Sequence, residues 1–114
     1  MTAELDLARI AELQHVMGAD AATIISSMLA SMTSAIGEVE SALAAGDLDG
    51  VTQAAHRCRN DALMLGAKPL LEALTAIETA TRNHHEADAR EALTRLNAVW
   101  PPTRQQLADA SQRA

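Results

Sequence analysis

Aromatic residues are almost missing from this chain: its 114 residues include one tryptophan, no phenylalanine and no tyrosine. The interior must then be filled by Ala, Leu, Ile, Val and Met, which suits close helix packing better than a sheet. Runs that alternate apolar and polar residues are also missing, so the fold class reads as all-α. The lone cysteine, Cys58, excludes an internal disulfide and fits a reducing compartment. Basic residues are few: Lys and Arg total 9 against 15 Asp and Glu, a net charge of -6. That balance, with no aromatic rings to stack on bases, argues against a nucleic-acid partner. Glu4 and Asp6 stand where a leader would carry basic residues before an apolar run. No stretch is read as approaching the roughly 20 apolar residues of a membrane span. The expectation is a cytoplasmic chain without membrane contact, long enough for one domain with a single core.

Apolar spacing and chain breakers divide the sequence into helices. Asp6 can cap a first helix over about residues 7–16, ended by Gly18. From Asp20, the residues Ile24, Ile25, Met28, Leu29, Met32, Ile36, Val39 and Leu43 form one long amphipathic stripe. Gly37 lies inside it at a cost of about 1 kcal/mol relative to Ala, so a packing reason is expected. Gly46-Asp47 marks a tight connection, with Asp47 capping the next helix; Gly66 ends that helix, and Pro69 suits the first turn of another. In that fourth helix Leu70, Leu71, Leu74 and Ile77 face inward. After the polar turn at Arg82-Asn83-His84-His85, a last helix from Glu86 buries Ala89, Ala92, Leu93, Leu96 and Val99. Trp100-Pro101-Pro102 is expected to kink or break it, because proline lacks the amide donor and clashes with the preceding turn. The residues from 103 to 114 then form a tail, with Leu107 as its only sizeable apolar side chain. Short connections imply antiparallel neighbours. The architecture expected is an antiparallel up-down four-helix bundle over about residues 20–100, with a short N-terminal helix.

One helix carries chemistry on its wet side. Val51, Ala55, Cys58, Ala62 and Leu65 share an apolar stripe, whereas His56 points away from it with Gln53, Asn60, Leu63 and Met64. An exposed imidazole, whose charge changes near neutral pH, is a candidate nucleophile or proton carrier.

Ala55-His56, a basic residue at Arg59, then Leu65-Gly66-Ala67 and later Leu70, Leu74 and Glu78 resemble the signature of histidine phosphotransfer (HPt) domains. The lead-in from Leu43 through Gly46-Asp47 to Ala55 is similar as well, so the resemblance spans roughly residues 20 to 82. It implies a phosphocarrier more than an enzyme. His56 would exchange a phosphoryl group, through its outer ring nitrogen Nε2, with an aspartate of a response-regulator receiver domain. No cofactor is implied on this chain; Mg²⁺ and the acidic pocket belong to the receiver. A hybrid sensor kinase is a further implied partner, and the chain itself is expected to be a monomer.

Arg59 stands where the family has Lys, one turn from His56 and within reach of phosphoryl oxygens. Asn60 stands where the family has a small residue, usually Gly; its amide can bond the imidazole, crowd a receiver or shorten the life of a phosphohistidine. Asn60 therefore also supports an alternative, an HPt-like adaptor that binds a receiver or sensor kinase without carrying phosphate. His56-Arg57-Cys58-Arg59-Asn60 is similar, too, to the His-Glu-hydrophobic-Arg-Asn/Thr-Pro box of sensor-kinase dimerisation domains. Arg57 and Asp61 depart from that box. Arg57, Gln53, Leu63 and Met64 are the candidates for receiver binding. Cys58, on the core stripe, reads as structural. His15 reads as a surface residue, and the adjacent His84 and His85 point apart, so no metal site is expected. Trp100 fits either a cap on the bundle end or a dimer contact.

Overall fold

The computed structural model describes residues 7–112, and the side chains from residue 10 onward. The described residues form five helices: α1 (Leu7–Met17), α2 (Asp20–Ala44), α3 (Leu48–Leu65), α4 (Lys68–Arg82) and α5 (Glu86–Gln112). The proposed Asp6 cap lies outside the described residues. Helix α2 packs on α3, α3 on α4, α4 on α5 and α5 back on α2, while α1 rests on α2. The described molecule is 43 Å long and 24 by 18 Å across.

The glycine breakers act as the sequence suggests. Gly46 and Gly66 adopt left-handed backbone at φ 74 and 67. In each case the following amide reaches back to close the helix end, Asp47 N–H to Ala42 O at 2.9 Å and Ala67 N–H to Ala62 O at 2.9 Å. Helix α4 ends in the same way without a glycine: His84 takes φ 57, and His85 N–H bonds Ala80 O at 2.8 Å. Asp47 caps α3 by accepting from Gly50 N–H at 3.0 Å.

The core is aliphatic and alanine-rich. Ile25, Met32, Val39, Leu43, Val51, Cys58, Leu65, Leu70, Leu74, Ile77, Leu96 and Leu107 are all buried. Ile24, Met28, Leu29, Leu71 and Leu93, expected inward, are only half-buried, because they sit at the edges of their stripes. Gly37 has no packing reason: a Cβ built there would meet nothing within 4 Å, so the expectation of one is corrected.

Two further expectations change. Helix α5 continues unbroken through Pro101 and Pro102 to Gln112, so residues 103–112 are not a separate tail. Its apolar stripe persists past the prolines, with Val99, Trp100, Thr103, Leu107 and Ala110 all buried. That burial outweighs the backbone bonds which the two proline nitrogens cannot make. Thr103 Oγ1 donates to Val99 O at 2.7 Å, which satisfies the one buried hydroxyl on that stripe. Trp100, packed into the core, helps hold the helix together there. Secondly, α2 is long and apolar enough, by length and composition, to cross a bilayer, which the sequence reading did not count. Here Ile25, Met32, Ile36, Val39 and Leu43 of that helix belong to the core.

Candidate functional site

Helix α3 turns Val51, Ala55, Cys58, Ala62 and Leu65 into the core, and that fixes where its other face lies. His56 emerges there with its side chain 48% exposed. The reversal at Gly66 brings α4 alongside, and α4 delivers a carboxylate beneath the imidazole. Glu78 is only 3% exposed, and its Oε1 lies 3.1 Å from His56 Nδ1. A carboxylate can only accept, so Nδ1 carries the proton and donates it to Glu78. In that tautomer Nε2 keeps its lone pair. Because Nδ1 is turned to a buried group, the exposed part of the ring is the part that carries Nε2.

Two guanidinium groups hold the same carboxylate. Arg82 Nη2 donates to Glu78 Oε1 at 2.6 Å, from one turn further along α4. Arg59 Nε lies 3.2 Å from Glu78 Oε2 as an ion pair, but its N–H is not aligned on that oxygen, which has no hydrogen-bond donor. Arg59 Nη2 is also 3.3 Å from His56 Nδ1. With Nδ1 protonated, those two nitrogens are both donors, so this approach is a crowded contact and not a bond. Next along the seam, the hydroxyls of Thr52 and Thr81 lie 2.6 Å apart. Their protons run as a chain, either through Thr52 to Leu48 O at 2.9 Å or through Thr81 to Ile77 O at 3.1 Å.

The other flank of α3 faces α2 and is open. Arg57 pairs with Glu38 across the seam, both side chains more than half exposed. Gln53 lines a groove of about 670 Å³ with Ala42, Gly50, Ala54 and Arg57, and His56 stands at its edge. Leu63 and Met64 are 56% and 60% exposed. Met64 borders a second hollow, of about 380 Å³, with Leu13, Val16, Ile24 and Met28. Asn60 is exposed one turn after His56. All seven candidate residues therefore lie on α3, but they divide: His56 and Arg59 are tied to α4, whereas Gln53 and Arg57 look toward α2.

A family model, the Hpt domain, matches residues 23–113. The chain belongs to the Hpt domain family. The match takes in α3 and α4 whole, and therefore His56 and its buried carboxylate, while α1 lies before it. No curated protein and no solved structure matches the chain. Membership sets the Hpt chain in two-component phosphotransfer signalling; Hpt domains are phosphocarriers that interact with receiver domains and kinases.

Four residues packed beside His56 escaped the sequence reading as site residues: Glu78, Arg82, Thr52 and Thr81. Glu78 had a signal, since it is a charged residue on the inward stripe of α4 between Ile77 and Thr81. The remaining titratable groups stand apart. Burial, with the charge of Asp61 as the lesser cause, pushes the Cys58 thiol from 9.0 up to about 12, so it is no nucleophile. His85 Nδ1 is 3.6 Å from Asp88 Oδ2 in the exposed turn. Among the described residues no three His, Cys, Asp or Glu side chains converge as a metal site.

Proposed function

We propose that this Hpt domain relays a phosphoryl group between His56 and aspartates of response-regulator receiver domains. The observation that carries the reading is the half-exposed imidazole whose Nδ1 is tied to a buried glutamate. Neutral Nε2 attacks the phosphorus of the receiver's aspartyl phosphate, a P–N bond forms, and the P–O bond breaks to return the carboxylate. Nδ1 keeps its proton, so the ring becomes a phosphoimidazolium, whose positive charge Glu78 neutralises at 3.1 Å. Return transfer runs the same steps backward. The receiver supplies Mg²⁺ and the acidic pocket, and positioning is the main contribution of this chain.

Arg59 is the residue that takes up phosphoryl oxygens, and Asn60 sets how long the phosphohistidine lasts. Gln53, Arg57, Leu63 and Met64 form the receiver-facing surface. The supporting scaffold is one domain, an antiparallel up-down four-helix bundle acting as a monomer in the cytoplasm. The cross-seam pairs Thr52–Thr81 and Arg59–Glu78 favour opposed directions for α3 and α4.

The test is transfer from phosphorylated receiver domains of the same organism, read by intact mass, with His56→Gln alongside. One acid-labile phosphoryl on the native chain, absent from the variant, is the expected result. Receiver binding without any mass gain would replace this reading by the adaptor reading.

A further inference from the structure

One buried carboxylate faces three donors, and they are not held equally. Arg82 is aligned on Glu78 Oε1 at 2.6 Å, whereas Arg59 is misaligned on Oε2 at 3.2 Å and crowds the ring nitrogen at 3.3 Å. We propose that Arg82 is a positioning residue for phosphoryl transfer: it is the guanidinium that stays on Glu78 beside the ring N–H, which releases Arg59 to the phosphoryl group. The inference rests on the phosphocarrier reading above.

Before transfer the seam holds one anion, Glu78, and two guanidinium cations, Arg59 and Arg82, around a neutral imidazole. Transfer adds a dianionic phosphoryl group outside the ring and one positive charge within it. A second anion now competes for the same two guanidinium groups. Glu78 is buried and the ring N–H reaches only Oε1, so a guanidinium has to stay on it as well. Arg59 shares α3 with His56, is the worse bonded of the two, and gains an aligned acceptor by moving. Arg82 is on α4, one turn beyond Glu78 and already well bonded, so it stays. With Arg82 absent, Arg59 has to serve Glu78 and the phosphohistidine goes without a cation.

Phosphoramidate tests this without any receiver, so docking does not enter. Nε2 bonds to phosphorus, the P–N bond breaks, and ammonia leaves with its electron pair; ammonia-buffered mixtures then give the phosphorylation equilibrium by intact mass. Arg59→Gln and Arg82→Gln are each expected to lower that equilibrium about tenfold, the scale of one charge-assisted hydrogen bond. The double variant is also expected to fall about tenfold, not a hundredfold, because both changes remove the same contact. Arg82→Lys is expected to restore most of the loss. An unaffected Arg82→Gln, or losses that multiply in the double variant, would overturn the inference while leaving the phosphocarrier reading intact. A wild-type chain that accepts no phosphoryl group would overturn both.

Discussion

The two flanks of α3 are built differently. Toward α4 the seam is filled by a buried glutamate, two arginines, a histidine and a pair of hydroxyls, joined at distances of 2.6 to 3.2 Å. Toward α2 it is lined by Ala42, Gly50 and Ala54, bridged on the surface by Arg57 and Glu38, and hollow at both ends. The packed flank constrains one ring nitrogen, and a ring held by one nitrogen presents the other. The hollow flank constrains little and leaves room for a partner's side chains. The proposed division of labour follows from this contrast: chemistry at the packed flank, and room for a partner along the hollow one.

Substitutions that treat the flanks separately give the sharpest contrast. Glu78→Gln removes the charge beneath the ring, and uptake from phosphoramidate is expected to slow by about tenfold to a hundredfold. Arg57→Ala, on the other flank, is expected to leave that rate unchanged and to shift stability by less than about 0.5 kcal/mol, because its ion pair is exposed. Stopped uptake assays and thermal melts on both variants read the difference; equal losses of rate would erase the division between flanks.

Recognition should respond the other way. Leu63→Ala with Met64→Ala is expected to weaken receiver binding by about tenfold, the scale of an exposed apolar anchor, with phosphoramidate uptake unaltered. Titration calorimetry against a receiver reads this directly, and an unchanged affinity would remove these residues from the docking surface.

Much of this arrangement was legible in the sequence. Gly18, Gly46, Gly66 and Pro69 mark four helix boundaries because their backbone preferences are local, and the apolar stripe of α3 sets the direction of His56. The seam was harder to read. Glu78 lies 22 residues beyond His56, and only the packing of α4 on α3 joins them. The prolines misled for the same reason: their cost is local, but Trp100, Thr103 and Leu107 recover it through burial by other helices. The left-handed His84 has no sequence signal of the kind that glycine gives.

Smaller effects probe the frame beneath both flanks. Cys58 titrates at about 12 in the fold against 9.0 ordinarily. Above pH 9 the unfolded thiol therefore gives up its proton while the folded one keeps it. Its contribution to stability is full below that pH and is lost as pH climbs toward 12. Native protein at pH 8 should resist alkylation and react fully in denaturant; rapid native labelling would contradict the buried placement. Gly37→Ala should stabilise the chain by about 0.5–1 kcal/mol, since the site is open and helical, as a denaturant melt would show.

The central claim is that Glu78 fixes the proton on Nδ1 and so directs phosphate to Nε2 of His56. Imidazole nitrogen NMR of the chain, before and after phosphoramidate treatment, tests it most directly. A protonated Nδ1 throughout, with phosphorus coupled to Nε2, is the result expected. Phosphorus on Nδ1, or a free chain whose proton sits on Nε2, would contradict it.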